Sequence, residues 1–172
     1  MQIHKATIND LPTIQSIAQA AWEANFHAFL SPEQLAFDFN REYHLQRLEE
    51  LLSDSSHTFT LYTPAHHSCP QGFSEVSPDP NHTTGWFINK LYIHPSAKNT
   101  GLGRALISHL KHQAKQQGIT QLKLLVNRHN TAVGFYQHMG FDITRTVDTE
   151  IGTNSTGKTY WRRDYEMVAE PV

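Results

Sequence analysis

Glycines and cations that could hold an anion lie close together in residues 98–104, which read K-N-T-G-L-G-R. Glycine lets a backbone approach a bound group closely, and the unpaired amides at the start of a helix attract negative charge. A helix is expected directly after this segment, because Leu102, Leu106 and Leu110 recur at helical spacing. The segment therefore predicts an anion-binding loop at a helix start, with Lys98 and Arg104 supplying full charges.

Residues 152–159 form a second phosphate-binding pattern, since G-T-N-S-T-G-K-T matches the P-loop motif completely. A working P-loop leads into a helix, whose amides hold the phosphates, and it needs a distant Asp for Mg²⁺. The run that follows Thr159 is aromatic and β-favouring, and too few residues follow it for a nucleotide fold. We interpret residues 152–159 as a hairpin turn between antiparallel strands and keep nucleotide binding as a third hypothesis.

Capping residues and hydrophobic spacing outline the elements that must position these segments. A short strand precedes a helix whose apolar stripe runs from Leu11 to Trp22. Ser31 and Pro32 start a second helical region, in which Gln34 could complete a capping box. A further leucine-rich helix is expected over 41–53, strands at 57–63, 72–76, 86–93, 122–126, 141–147 and 159–168, and helices after 101 and 130. This order predicts an α/β fold with a mixed sheet.

Composition excludes several function classes. The 172 residues carry 14 Lys and Arg against 16 Asp and Glu, so the net charge of −2 gives no reason to expect nucleic acid or an anionic membrane as a partner. The single cysteine, Cys69, cannot form an internal disulfide, which favours the cytoplasm. His109 and His112 are three residues apart but lack a third ligand in sequence, so no metal site is predicted.

A third motif, residues 126–141, reads V-N-R-H-N-T-A-V-G-F-Y-Q-H-M-G-F. Together with L-Y-I-H-P at 91–95 and the segment 98–104, it resembles the GNAT superfamily of acetyl-CoA-dependent N-acetyltransferases. In that family a strand ending in L-Y-V-x-P leads to [RQ]-x-x-G-x-[GA] and a helix, then to N-x-x-A-x-x-F-Y-x-x-x-G-F. The resemblance covers nearly the whole chain. It implies one N-acetyltransferase domain over 1–172, built on a mostly antiparallel sheet that splays between its fourth and fifth strands and is flanked by helices.

The resemblance also implies where acetyl-CoA would lie. Its pyrophosphate would rest on the amides of 99–104, its pantetheine arm would follow the open edge of the strand at 91–93, and the Ile93 amide would donate to the thioester carbonyl. Two positions depart from the pattern: Lys98 replaces Arg or Gln, and Asn130 stands two residues before Ala132 while His129 takes the usual place. The implied cofactor-binding residues are Leu91, Tyr92, Ile93, Lys98, Asn99, Thr100, Gly101, Leu102, Gly103, Arg104, Asn130 and Tyr136.

Acetyl transfer to an amine needs a neutral amine, a stabilised oxyanion and a proton for the departing thiolate. A tyrosine with a pKa of about 10 can protonate a thiolate whose thiol has a pKa of about 8.5, so Tyr136 is the predicted general acid. The carboxylate that many relatives carry at positions matching Phe87 or Asn89 is missing. The base stays open: Glu75 and Glu23 are the candidates, acting directly or through water, and a backbone-positioned water is the model if neither serves.

The predicted function is direct transfer of an acetyl group from acetyl-CoA to a primary amine. A Trp-x-x-x-Phe helix followed by Ser-Pro-Glu-Gln is similar to the branch with polyamine and protein N-acetyltransferases, so a small polyamine-like amine and a peptide or protein amine both stay open. Polyamines would favour an acidic acceptor mouth, for which Asp38, Glu42, Glu49 and Glu50 are candidates. The alternative is a non-catalytic acyl-CoA sensor of the same fold. A homodimer is left open.

Overall fold

A mixed β-sheet forms the centre of the protein. The computed structural model describes residues 1–171. In these residues the strands are β1 (Gln2–Lys5), β2 (Thr58–Thr63), β3 (Gly72–Pro78), β4 (Gly85–Ile93), β5 (Gln121–Asn127), β6 (Asp142–Thr153) and β7 (Thr159–Ala169). They form one seven-stranded sheet in the order β1-β2-β3-β4-β5-β7-β6, in which β4 and β5 are parallel and the other pairs antiparallel. The predicted α/β fold with a mixed sheet is confirmed.

Five α-helices among residues 1–171 flank this sheet: α1 (Leu11–Asn25), α2 (Pro32–Tyr43), α3 (Leu45–Ser53), α4 (Leu102–Gln116) and α5 (Ala132–His138). None of the helices in this part of the chain has the length and apolar character needed to cross a membrane. The predicted single domain, 1–172, stays a prediction, and its last residue lies outside the described part.

The parallel pair at the centre of the sheet is short. Residues 85–88 of β4 pair with 121–124 of β5, and beyond Ile88 the two strands separate. A bulge helps to turn β4 away, because Glu75 pairs with Lys90 and Val76 with Ile88, which leaves Asn89 as an extra residue. The predicted splay between the fourth and fifth strands is therefore confirmed, and it opens a gap in the sheet.

The N-terminal helices correct one expectation. The stripe of α1 is buried as predicted, but the helix expected over 41–53 is divided at His44, whose ψ of 147° is extended. The imidazole explains the restart, because His44 Nδ1 accepts a hydrogen bond from the Arg47 amide and caps α3. Ser31 caps α2 as expected, whereas the side chain of Gln34 donates to the Trp161 carbonyl, 127 residues away, instead of completing a capping box.

That long-range contact is part of the docking of α2 on the hairpin formed by β6 and β7. Arg41 donates to the Ile151 carbonyl, and Phe37 packs on the ring of Tyr160 with 5.2 Å between centroids. The Cβ that Gly152 lacks would lie 3.3 Å from Phe37 Cζ, so the helix approaches the strand closely. Residues 154–158, the centre of the P-loop match, form the turn of this hairpin, and no helix follows. The interpretation as a hairpin turn is confirmed.

Candidate active site

A cavity of about 950 Å³ occupies the gap between β4 and β5. Its lower end is formed by the open edge of β4, the loop that begins α4 and the side of α5. Its upper end lies under α1 and α2 and is bounded on two sides by residues of β3 and β7. The cavity therefore joins a helix start, an unpaired strand edge and a set of charged side chains in a single space.

The loop before α4 has the backbone geometry of an anion site. Asn99 and Gly101 are left-handed, with φ of 60° and 83°, and Gly101 caps the helix. The amides of the first helical turn have no partner within α4, so they are free to bind a ligand. Gly103 is needed for space, because an added Cβ would lie 3.0 Å from Ile93 Cδ1 and 3.2 Å from Phe135 Cζ. Lys98 is held at the rim by its hydrogen bond to Asn25 Oδ1, at 2.7 Å.

The exposed edge of β4 continues the cavity upward. Leu91 and Ile93 pack on the side of Leu102 and Leu106, while Tyr92 packs on the opposite side with the core that contains Trp22. The His94 amide donates to the Gln71 carbonyl on the β3 side. Since successive residues of a strand turn their backbone groups to alternate sides, the Ile93 amide points into the gap.

The helix α5 brings two predicted residues to the wall of this cavity. Asn130 precedes α5, and its Oδ1 accepts a hydrogen bond from the Ala132 amide, while its amide group lines the cavity. His129 is exposed and does not line the cavity, so the structure favours Asn130 at this position. Tyr136 is buried against Phe135 and Phe141, and burial raises its pKa well above the ordinary value of a phenol. Its hydroxyl group therefore keeps its proton at neutral pH.

Glu75 lies at the upper end of the cavity and is fully buried. Its Oε1 accepts hydrogen bonds from His57 Nδ1 at 2.6 Å and Asn89 Nδ2 at 2.7 Å, and its Oε2 accepts one from Lys90 Nζ at 2.7 Å. A carboxylate offers about four acceptor positions, so one remains for a water or a ligand. The resemblance implied a carboxylate at Phe87 or Asn89, and the neighbouring strand β3 supplies one, Glu75, within hydrogen-bonding distance of Asn89.

A second group of acids lines the cavity on its other side, between α2 and β7. Asp38 and Glu42, four residues apart, share one face of α2, and Asp164 lies on β7. Asp38 is 2% exposed, and neither of its carboxylate oxygens has a hydrogen-bond partner among residues 1–171. Burial raises the pKa of Asp38 to about 6 and also raises the pKa of Asp164. Against the cost of burial, the hydrogen bond from Arg41 holds the pKa of Glu42 below its usual value.

Several predicted residues lie elsewhere. Glu23 is exposed and accepts a hydrogen bond from Gln19, and Glu49 and Glu50 are exposed on α3 away from the cavity. No cluster of three or more potential metal ligands exists within residues 1–171. Sequence reasoning missed Lys90, His57, Arg162 and Asp164. The spacing of Arg162 and Asp164 was the available signal for the last two, because residues two apart on a strand lie on one face.

Comparison with known proteins agrees with this geometry. A family model described as acetyltransferase (GNAT) domain matches residues 15–154, so the chain belongs to the GNAT family of acetyltransferases. A spermidine N(1)-acetyltransferase of Thermoplasma acidophilum is 26% identical over 149 residues, which cover 85% of this chain and 91% of that protein. The peptidyl-lysine N-acetyltransferase YjaB of Salmonella typhimurium is 34% identical over 125 residues, which cover 72% of this chain and 75% of that protein.

The fold has solved counterparts as well. The crystal structure of PaiA N-acetyltransferase from Thermoplasma acidophilum in complex with coenzyme A is 21% identical, covers 98% of both chains and has a TM-score of 0.79. Membership of the family confirms the predicted enzyme class and acetyl-CoA as its co-substrate.

The buried pair of Lys90 and Glu75 generates a stability prediction. Lys90→Met leaves the Glu75 carboxylate buried without its cation, which should cost about 3–5 kcal/mol of unfolding free energy. Urea denaturation at about pH 8 measures this loss. Adding Glu75→Gln to Lys90→Met should recover part of it.

Lys158→Met is the matched control, because Lys158 forms an exposed ion pair with Glu33 at 3.1 Å. Exposed ion pairs contribute little to stability, so the free energy of unfolding of this variant should be close to that of the wild type. Equal stabilities of Lys90→Met and Lys158→Met would contradict the assignment of a tightly coupled buried pair.

Proposed function

We propose that this protein transfers the acetyl group of acetyl-CoA directly to a primary amine, which is either a small polyamine-like amine or an amine of a peptide or protein. The observation that carries the proposal is the single cavity that joins a helix-start anion loop, a free strand edge and buried carboxylates. The N-acetyltransferase names of the two relatives support the reaction class and leave both kinds of acceptor open. No structural feature favours the sensor alternative.

The lower end of the cavity suits the co-substrate. The free amides of the first turn of α4 would hold the pyrophosphate, and Lys98 and Arg104 would add charge at the rim. The edge of β4 over Leu91, Tyr92 and Ile93 would hydrogen-bond the pantetheine arm, with Asn130 on the opposite wall. The Ile93 amide, which points into the gap, would then meet the thioester carbonyl and stabilise the oxyanion.

The chemistry needs two proton transfers. The amine nitrogen forms a bond to the acetyl carbon as the carbon–sulfur bond breaks, and the departing thiolate takes a proton from Tyr136. The amine gives its proton to Glu75, either directly or through a water on the free acceptor position of that carboxylate. Return of this proton to Tyr136 through solvent completes the balance. The buried, protonated phenol supports the acid role of Tyr136.

The proposed placement of the pyrophosphate loop predicts the effect of a single methyl group. Gly103→Ala crowds Ile93 and Phe135, which line the cavity, so we expect the Kd for acetyl-CoA to rise roughly tenfold, which corresponds to about 1.4 kcal/mol of lost binding free energy. Isothermal titration with acetyl-CoA measures the change.

Gly134→Ala is its control, because nothing lies within 4 Å of the added Cβ and the residue is helical. It should bind acetyl-CoA as wild type does and gain slight stability from its helix propensity. Stabilisation of the wild type by ATP but not by acetyl-CoA would refute the proposed function.

The acid role predicts a specific kinetic change for Tyr136→Phe. Loss of a positioned general acid should lower kcat by roughly 10²-fold, while the Kd for acetyl-CoA changes little. Release of free thiol under saturating acetyl-CoA measures kcat. Because burial raises the pKa of Tyr136, the wild type should show no alkaline loss of activity from this residue near neutral pH. Full kcat in Tyr136→Phe would remove it from the mechanism.

The base role distinguishes Glu75 from Glu23. Glu75→Gln should lower kcat/KM by roughly 10²-fold or more, and the deficit should shrink as pH rises because bulk solvent then supplies the neutral amine. Glu23→Gln, on the exposed side of α1, should match wild type at every pH. A deficit of Glu75→Gln that is constant with pH would indicate a structural role and favour a backbone-held water as the base. Circular dichroism at the assay temperature checks that each variant is folded.

A homodimer and a cytoplasmic location, the latter expected from the lone Cys69, stay predictions.

A further inference from the structure

The carboxylate of Asp38 is buried at the upper end of the cavity without a partner. Both oxygens are shielded from solvent and lack a hydrogen bond among the described residues, and the side chain lines the cavity. A buried carboxylate normally has a donor or a cation beside it, because desolvating its charge is costly. Asp38 is therefore a buried acceptor that the described residues of the protein leave unpaired.

The charges around Asp38 leave one negative charge uncompensated. The charged groups that face it are Arg41 and Glu42 on α2 and Arg162 and Asp164 on β7. Arg41 is occupied by Glu42 Oε1, at 2.7 Å, and by the Ile151 carbonyl. Arg162 is left to balance Asp38 and Asp164, and its Nε has no hydrogen-bond partner among the described residues. The group as a whole can accept one further cation.

The shape of the site indicates an organic cation. The described residues hold no cluster of three or more metal ligands at this place, so a metal ion would lack a coordination shell. The aromatic rings of Trp22 and Phe26 also line the cavity, and such surfaces favour ammonium groups. A monovalent ammonium on a short alkyl chain fits both the charge and the walls.

This ammonium cannot be the reacting amine. A carboxylate that holds an ammonium stabilises its charged form, whereas the nucleophile must lose a proton before it attacks. The sheet order also separates the two functions, because Glu75 is on β3 and Asp164 on β7, three strand positions apart across the gap. The acceptor must therefore extend from the attack site toward the side of the gap on which β7 and α2 lie.

We propose that Asp38 binds a second ammonium group of the acceptor, and that it thereby selects diamines and polyamines over monoamines and peptide amines. This inference rests on the proposed function and specifies the acceptor of the same site. Without the diamine, burial raises the pKa of Asp38 to about 6, and the bound ammonium would return it toward the ordinary range. Selection should therefore weaken as the pH falls through about 6.

The test compares putrescine with n-butylamine, which has the same carbon chain and reactive amine but lacks the second charge. For the wild type we expect kcat/KM for putrescine to exceed that for n-butylamine roughly tenfold or more at pH 7.5, because a hydrogen-bonded charge pair is being made. Asp38→Asn should bring this ratio close to one. Glu49→Gln removes an equal charge from an exposed position outside the cavity and should keep the wild-type ratio.

The melting temperature Tm reports the binding of the amine without any turnover. Putrescine should raise the Tm of the wild type and not of Asp38→Asn, and n-butylamine should raise neither. Asp38→Asn without ligand should melt higher than wild type by roughly 2–4 °C at pH 7.5, since the folded pKa lies above the unfolded one and ionisation then costs stability. At pH 3 the difference should nearly vanish, because the carboxyl is then protonated in the folded protein and mostly protonated in the unfolded one.

The outcomes separate the two proposals. Equal kcat/KM for putrescine and n-butylamine in the wild type would overturn the inference and leave the proposed function intact, as would acetylation of a lysine peptide in preference to both. Asp38→Asn could instead have a lower Tm than the wild type and the same ratio of kcat/KM for putrescine to kcat/KM for n-butylamine. That result would make Asp38 a structural residue and overturn the inference. Absence of thiol release with every amine would refute the proposed function, and the putrescine Tm shift would still decide whether Asp38 binds a second ammonium.

Discussion

The short parallel register between β4 and β5 is the constraint on which the rest of the site depends. Antiparallel pairing of β5 with β7 extends over residues 122–127, so β5 is held by its outer neighbour and cannot follow β4 beyond Ile88. The bulge at Asn89 bends β4 toward β3. Two antiparallel halves therefore pull the central pair apart, and the parallel connection, which requires a crossover, delivers the start of α4 to the open edge. The cavity, the free backbone groups and the anion loop all follow from this one separation.

The charged residues of the cavity differ in how far the protein compensates them. Glu75 is surrounded by three donors, so its charge is stabilised before any ligand binds. Asp38 is also deeply buried and has no donor among the described residues. Burial of an unpaired charge lowers the stability of the folded protein. That cost is understandable where a ligand supplies the missing partner. The contrast is consistent with the two roles proposed above, proton transfer for Glu75 and ligand capture for Asp38.

Features built from residues that are close together in the sequence could be predicted, whereas features built by contacts between distant segments could not. The anion loop, Asn130 and Tyr136 depend on residues close in sequence, and the stripe of α1 was buried in full. The break at His44 was missed because leucine spacing continues through it, whereas the extended backbone depends on an imidazole cap. The environment of Glu75 could not be predicted, since the bulge that aligns it with Lys90 is a property of strand pairing. Among the four acids proposed for the mouth, only packing selects Asp38 and Glu42.

Different elements build the two ends of the cavity, the one proposed for the co-substrate and the one proposed for the second ammonium group. The end that suits the co-substrate is built from β4, α4 and α5, whereas Asp38 and Asp164 are brought together by the docking of α2 on the hairpin of β6 and β7. Gln34, Phe37 and Arg41 make that docking, and none of them contacts the loop at 98–104. Substitutions at sites without shared partners act nearly independently on free energy. Changes in α2 or in the hairpin can therefore alter which amine is accepted while the anion loop and Tyr136 keep their geometry.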